Sequence, residues 1–136
     1  MDITAPTIIL TLVWGVAIGC VYILLATGLN IIFGVMKLVN FAHGQLLMIS
    51  AFLTWTISVS LGLNAYVAII ISMFIVALLG VVVERFTFRR VLGTDKLNEI
   101  FVSLGLIYIF ENIAMLIWGA NSKQVASPFY GMSVSL

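Results

Sequence analysis

GQLLMISAFLTWTISVSLGLNAYVAIIISMFIVALLGVVV, residues 44–83, carries no charged side chain across forty positions. At about 1.5 Å per helical residue this run would stretch ~60 Å, roughly twice the hydrocarbon thickness of a bilayer. One straight span cannot use that length, so the run is expected to fold back on itself as two. The turn signal sits near its centre, at Ser60-Leu61-Gly62-Leu63-Asn64. Spans over about 45–61 and 65–84 follow.

Working outward, residues 3–36 are also free of charge. A first span is expected over about 7–28, with Pro6 as a fitting first-turn residue. The apolar run continues to Met36, and 7–36 as one helix would measure ~45 Å. Gly28, Asn30 and Gly34 cluster there, so a helix break near Gly28–Gly34 is expected. A fourth span is read over about 100–119. The result is an all-α, polytopic membrane helix bundle of about four transmembrane helices in residues 1–120. Residues 121–136 are read as an external loop, after a cytoplasmic loop at 85–99.

Composition agrees. Apolar residues make up 63% of the 136 and charged residues 8%, too few to cover the surface of a soluble domain. The lone Cys20 has no mate for an internal disulfide. The start Met1-Asp2-Ile3-Thr4 is acidic and its apolar run is too long for a signal peptide. No metal, cofactor or nucleic-acid motif is present, and nothing pairs a nucleophile with a base.

Basic residues set the expected threading. One side holds Lys37, Arg85, Arg89, Arg90 and Lys96, and the other holds only Lys123. Basic connections stay cytoplasmic, so both chain ends are expected outside. The three arginines read as topology anchors and lipid-headgroup contacts, or as a docking point for a cytoplasmic partner.

In lipid, small and polar residues mark helix contacts. Gly15 and Gly19 form a GxxxG, read as tight packing within one subunit in preference to a dimer seam. Ser50, Thr54 and Ser58 recur every fourth residue in the second span, with His43 near the same stripe. In the fourth span Gly105, Tyr108, Asn112 and Met115 share a face expected to turn inward, with Glu111 at its edge. The third span shows only a faint stripe of Ala68, Ser72 and Gly80 and is expected to meet more lipid. A charge at the depth of Glu111 costs roughly 2.5–3.5 kcal/mol. Eleven Ile, Leu, Phe and Val residues between 100 and 119 offset it. Glu111 must still find a partner or stay neutral: it is either a translocation-path or proton-linked group, or a structural hydrogen-bonding one. His43 has the same two readings, with a helix-end hydrogen bond as the plainer one.

Gly28-Leu29 followed by Ile32-Phe33-Gly34, leading into Asn40-Phe41-Ala42-His43-Gly44, resembles the signature of branched-chain amino acid ABC transporter permeases. Val83-Glu84-Arg85 with Arg89-Arg90 looks like that family's first large cytoplasmic loop. Ser103-Leu104-Gly105-Leu106, Glu111-Asn112 and Trp118-Gly119 look like its next span. Where the family usually has a proline after the arginine, this chain has Arg89-Arg90-Val91. The resemblance covers about 7–120 and corresponds to an amino-terminal half, with an apparent truncation point in the polar tail.

It implies a transport subunit in the cell inner membrane rather than an enzyme. Its implied partners are the lipid bilayer, a second permease subunit, cytoplasmic ATPase subunits and an external solute-binding protein. The chain has no GxxxxGK[ST] of its own, which fits hydrolysis on another subunit. Path or helix-interface candidates are Asn40, His43, Gln45, Ser50, Thr54, Tyr108, Glu111 and Asn112. The competing readings are a urea or short-amide importer, a stand-alone four-helix assembly protein, and a proton-coupled carrier using Glu111.

Overall fold

The computed structural model describes residues 5–125. Four long helices run up and down: α1 (Ala5–Met36), α2 (His43–Leu61), α3 (Ala65–Val83) and α4 (Lys96–Trp118). All are long and apolar enough to cross a membrane, and no strand occurs among the described residues. Lipid offers no hydrogen bonds, so apolar segments close their backbone groups internally as helices.

The ends carry their own stop signals. Gly62, at φ 62°, closes α2 in the left-handed region, where glycine pays no Cβ penalty. The Asn64 side chain accepts from the Tyr66 N–H at 3.0 Å to open α3. Asp95 does the same for Leu97 at the start of α4, at 3.3 Å. Lys37 ends α1 with φ 55°. Its carbonyl accepts from Lys96 Nζ at 3.2 Å, which places a cation at the negative end of α1.

Two expectations about boundaries are overturned. The break near Gly28–Gly34 does not occur: α1 continues through Gly28, Asn30 and Gly34 to Met36. Glycine still supplies both backbone groups to the helix, and unpaired groups are costly in an apolar setting. The chain breaks instead over residues 37–42, where polar side chains can serve the backbone. The loop expected at 85–99 is mostly helix. α3 passes through a π-helical turn, Glu84–Phe88, and a further turn, Arg89–Val91. Only residues 92–95 separate it from α4. Valine at 91, in place of a proline, keeps the N–H that this continuation needs. Of the external loop read at 121–136, residues 126–136 lie outside the described part.

Packing also departs from expectation at two helices. α3, expected to face lipid, makes the closest pairing in the bundle. Ala68 and Ser72 are fully buried, and their small size lets the α2 and α3 backbones approach. There Thr54 Oγ1 and Ser72 Oγ share a hydrogen bond of 2.7 Å. Conversely, Gly15 and Gly19 have open space where a Cβ would sit, so the expected tight packing within the subunit is not made. α1 is largely exposed and leans on α2. The core lies at the level of Leu38, Ala42, Ile49, Phe88, Leu106 and Phe110, which joins residues 37–42 to the π-turn and α4.

Removing the hydroxyl pair tests this pairing. Thr54→Val and Ser72→Ala together are expected to show a coupling of about 0.6 kcal/mol, the usual scale for hydrogen bonds between membrane helices. A double-mutant cycle on unfolding in detergent would read it. Strictly additive losses would show that small-residue packing alone holds α2 to α3.

A polar contact at mid-helix and an aromatic-walled cleft

Residues 37–42 are not a surface loop. Leu38, Asn40 and Ala42 are 1%, 7% and 1% exposed, whereas Phe41 between them is 51% exposed. Buried side chains thus alternate with more exposed ones along a segment that ends in a turn at 41–42. Two contacts fix its course. Lys37 lies against Lys96, the first residue of α4. Gln45, the third residue of α2, donates from Nε2 to Glu111 Oε1 at 3.0 Å. Glu111 is fifteen residues into α4, about 22 Å along it. Residues 37–40 lie outside any helix and 41–42 form a turn, and the long Lys96 and Gln45 side chains reach over the rest of that distance. The segment therefore climbs along the bundle, and α2 begins beside the middle of α4 rather than at the bundle end.

Asn40 manages the change from non-helical chain to helix. Its Oδ1 accepts from the Ala42 N–H at 2.9 Å, and its carbonyl accepts from the His43 N–H at 3.3 Å. A buried asparagine thus starts α2 by a side-chain turn. His43, expected at the cytoplasmic boundary, instead packs its ring against Gly28 of α1. A Cβ at residue 28 would lie 2.7 Å from His43 Cε1. The buried Nδ1 of His43 has no hydrogen-bond partner among the described residues.

The other candidates separate by face. Thr54 belongs to the α2–α3 seam, and Ser50 serves it through its carbonyl, which accepts from Thr54 Oγ1 at 2.8 Å. Tyr108 is 67% exposed, and Asn112 Nδ2 donates to the Tyr108 carbonyl at 2.7 Å. The face carrying both lies outside the packed bundle, contrary to expectation. The side that packs is Glu99, Ser103, Leu106, Phe110 and Ala114. Satisfied within its own helix, Asn112 has no need to turn inward. Arg85, Arg89 and Arg90 are exposed at the end that also holds Lys37 and Lys96.

Sequence reasoning missed three features. Glu99, read as part of a loop, is 6% exposed in the first turn of α4. Its signal was the spacing 99, 103, 106, 110, one helical stripe. Second, Trp118 clamps α4 to α2: its ring stacks on Phe52 at 5.1 Å, and its Nε1 donates to Thr56 Oγ1 at 2.7 Å. Third, between α2, α4 and residues 119–125 lies a cleft of about 650 Å³. Met48, Phe52, Trp55 and Met115 wall it and Glu111 reaches it, while Lys123 Nζ lies 4.7 Å from the Trp55 ring centre. Trp118→Ala removes the stack and the hydrogen bond together. It is expected to cost about 3 kcal/mol, read as a lower unfolding midpoint in detergent, with Trp118→Phe recovering part. An unchanged midpoint for the alanine variant would remove the clamp.

Four apolar helices long enough to cross a membrane, with a Gln45–Glu111 contact between α2 and α4, make this a multi-pass membrane protein. The model of the family described as "Branched-chain amino acid transport system / permease component" matches residues 8–135, and the chain belongs to that family. It is 29% identical over 125 residues to the high-affinity branched-chain amino acid transport system permease protein BraD of Pseudomonas aeruginosa, covering 86% of this chain and 40% of that one. The permease protein LivH of the same kind of system in Escherichia coli K12 is 27% identical over 128 residues, covering 88% and 42%. LivH of Salmonella typhimurium is 27% identical over 125 residues, covering 86% and 41%. The chain thus spans about two fifths of the length of these curated relatives. No solved structure matches it at a significant level.

Proposed function

We propose that this chain serves as a membrane-spanning part of the permease in an ABC importer of branched-chain amino acids. The observation that carries the reading is the family match over 8–135 together with relatives that are all branched-chain amino acid permeases. The same relatives favour these solutes over urea or short amides. In this reading a second permease subunit completes the pathway, cytoplasmic ATPases drive it and an external binding protein delivers the solute.

Threading follows from charge. Lys37, Arg85, Arg89, Arg90 and Lys96 gather at one end of the bundle and Lys123 at the other. The five-residue end is cytoplasmic in this reading, the chain ends face outward, and the arginines meet headgroups or the ATPases. The solute path runs along the α2–α4 cleft, with Asn40, His43, Gln45 and Glu111 at its inner limit. Alternating access moves the helices around that point, since transporter sites form where helices are interrupted.

Reconstituted uptake tests the reading. Leucine import by the transporter assembly containing this chain is expected to require both ATP and the binding protein. Import driven by a pH gradient alone would replace it with a proton-coupled carrier. Cysteine placed at Arg90 is expected to resist membrane-impermeant labelling in intact cells, and labelling from outside would invert the threading.

A further inference from the structure

We propose that a groove between α1 and α3, at the arginine-bearing end of the bundle, binds a phospholipid with a primary-amine headgroup. Its ammonium is held by Glu84 and one acyl chain lies between the two helices. The proposal draws on the membrane setting alone and not on the permease reading. α1 packs on α2 and makes no comparable pairing with α3. Between them lies a groove of about 330 Å³, lined by Ile32 and Met36 of α1, Asn40 of the connecting segment, Ala77 and Val81 of α3, and Glu84 of the π-turn. Gly80 also lines it, and a Cβ there would meet nothing within 4 Å.

Two polar residues line this otherwise apolar groove with hydrogen-bonding capacity to spare. Asn40 is 7% exposed. Its Oδ1 is taken by the Ala42 N–H, which leaves Nδ2 a donor with no acceptor among the described residues. The Glu84 side chain has no hydrogen-bond or ionic partner among them either. An amine phospholipid supplies what both lack: its ammonium donates to Glu84, and its phosphate and ester oxygens accept from Asn40. Polarity runs along the groove in the same order as along a lipid. Glu84 lies seven residues beyond Ala77, about 10 Å along the helix, and adjoins Arg85, a residue type that marks the membrane interface. The apolar end therefore lies in hydrocarbon and the acid at headgroup depth. Over that length the volume corresponds to a channel about 6 Å across, narrower than a helix with its side chains at about 10–12 Å. Val81 is 59% exposed, so the groove opens sideways to lipid. Exposed Lys37 and Arg85, next in sequence to lining residues Met36 and Glu84, add positive charge for the phosphate. A choline headgroup has no N–H to donate, and a glycerol headgroup brings no ammonium to offset the acid.

The experiment is native mass spectrometry of the purified, delipidated membrane assembly containing this chain, titrated with phosphatidylethanolamine, phosphatidylcholine or phosphatidylglycerol of identical acyl chains. Wild-type assembly is expected to hold phosphatidylethanolamine about tenfold more tightly than the other two. Glu84→Gln is expected to reduce phosphatidylethanolamine binding to the level of phosphatidylcholine and to leave phosphatidylcholine unchanged. Gly80→Leu fills the groove with a better helix former and is expected to weaken phosphatidylethanolamine binding by a similar factor, with assembly unchanged on gel filtration. Equal binding of the three lipids by wild type overturns the site. So does a preference for phosphatidylglycerol, or wild-type phosphatidylethanolamine binding by both variants. A cysteine at Val81 that cross-links to another protein helix in native membranes would give the groove to that helix and overturn the proposal as well. The permease reading is unaffected by any of these results, since uptake tests it separately.

Discussion

Glu111→Leu is expected to abolish solute uptake while raising, not lowering, the ease of membrane insertion. On insertion scales leucine at a helix centre is about 3–4 kcal/mol more favourable than an acidic residue, so the variant should reach the membrane in at least wild-type amounts. What it loses is the hydrogen bond from Gln45 Nε2. The stranded Gln45 amide costs about 1–3 kcal/mol where it is shielded from water. That penalty falls on the contact that sets where α2 begins relative to α4. Glu111→Gln retains an acceptor for Gln45 and is expected to keep the fold. The measurement is uptake per inserted molecule, by quantitative immunoblotting of membranes beside a transport assay. Normal uptake by the leucine variant would remove Glu111 from the site and return it to a bystander role.

Substitution at Gly28 is expected to have the largest structural effect. Even alanine places a methyl group against the His43 ring, with Cε1 at 2.7 Å, well inside van der Waals contact. His43 is the first residue of α2 and its Nδ1 is buried, so the ring cannot swing away without shifting the start of that helix. Overpacking of this kind costs about 1–3 kcal/mol, and a leucine more. Because α1 leans on the bundle chiefly through α2, the expected result of Gly28→Leu is detachment of α1, read as lost α1–α2 cysteine cross-linking. The companion variant Gly28→Ala in a His43→Ala background is expected to recover most of the stability lost by Gly28→Ala alone. No recovery would show that the glycine serves the backbone of α1 instead.

The membrane class and the number of long helices were legible because they depend on length and hydrophobicity alone, whereas the end of α1 and the helical course of 84–91 were not. Forty uncharged residues exceed one bilayer crossing whatever their neighbours do. The gathering of basic residues at one end was equally legible, as was Glu111 as a residue needing a partner. The position of that partner was not. Gln45 reads as a helix-start residue at a boundary, and only the climb of residues 37–42 brings it level with Glu111. Likewise Ser72 is one serine in a valine-, isoleucine- and leucine-rich helix until Thr54 is seen opposite it.

Sequence by itself thus determined the solvent: composition makes lipid the medium, and uninterrupted apolar runs of this length cross it as helices. Only the tertiary structure decided depth and facing. A helical sequence places side chains at fixed angles around an axis but says nothing of how far that axis slides or turns against its neighbours. That offset, set by Gly28 against His43, Ser72 against Thr54 and Trp118 against Phe52 and Thr56, turned Tyr108 and Asn112 outward and Glu111 toward Gln45. Contacts between residues far apart in the chain fix it, through close packing and shared hydrogen bonds, and no local pattern encodes them.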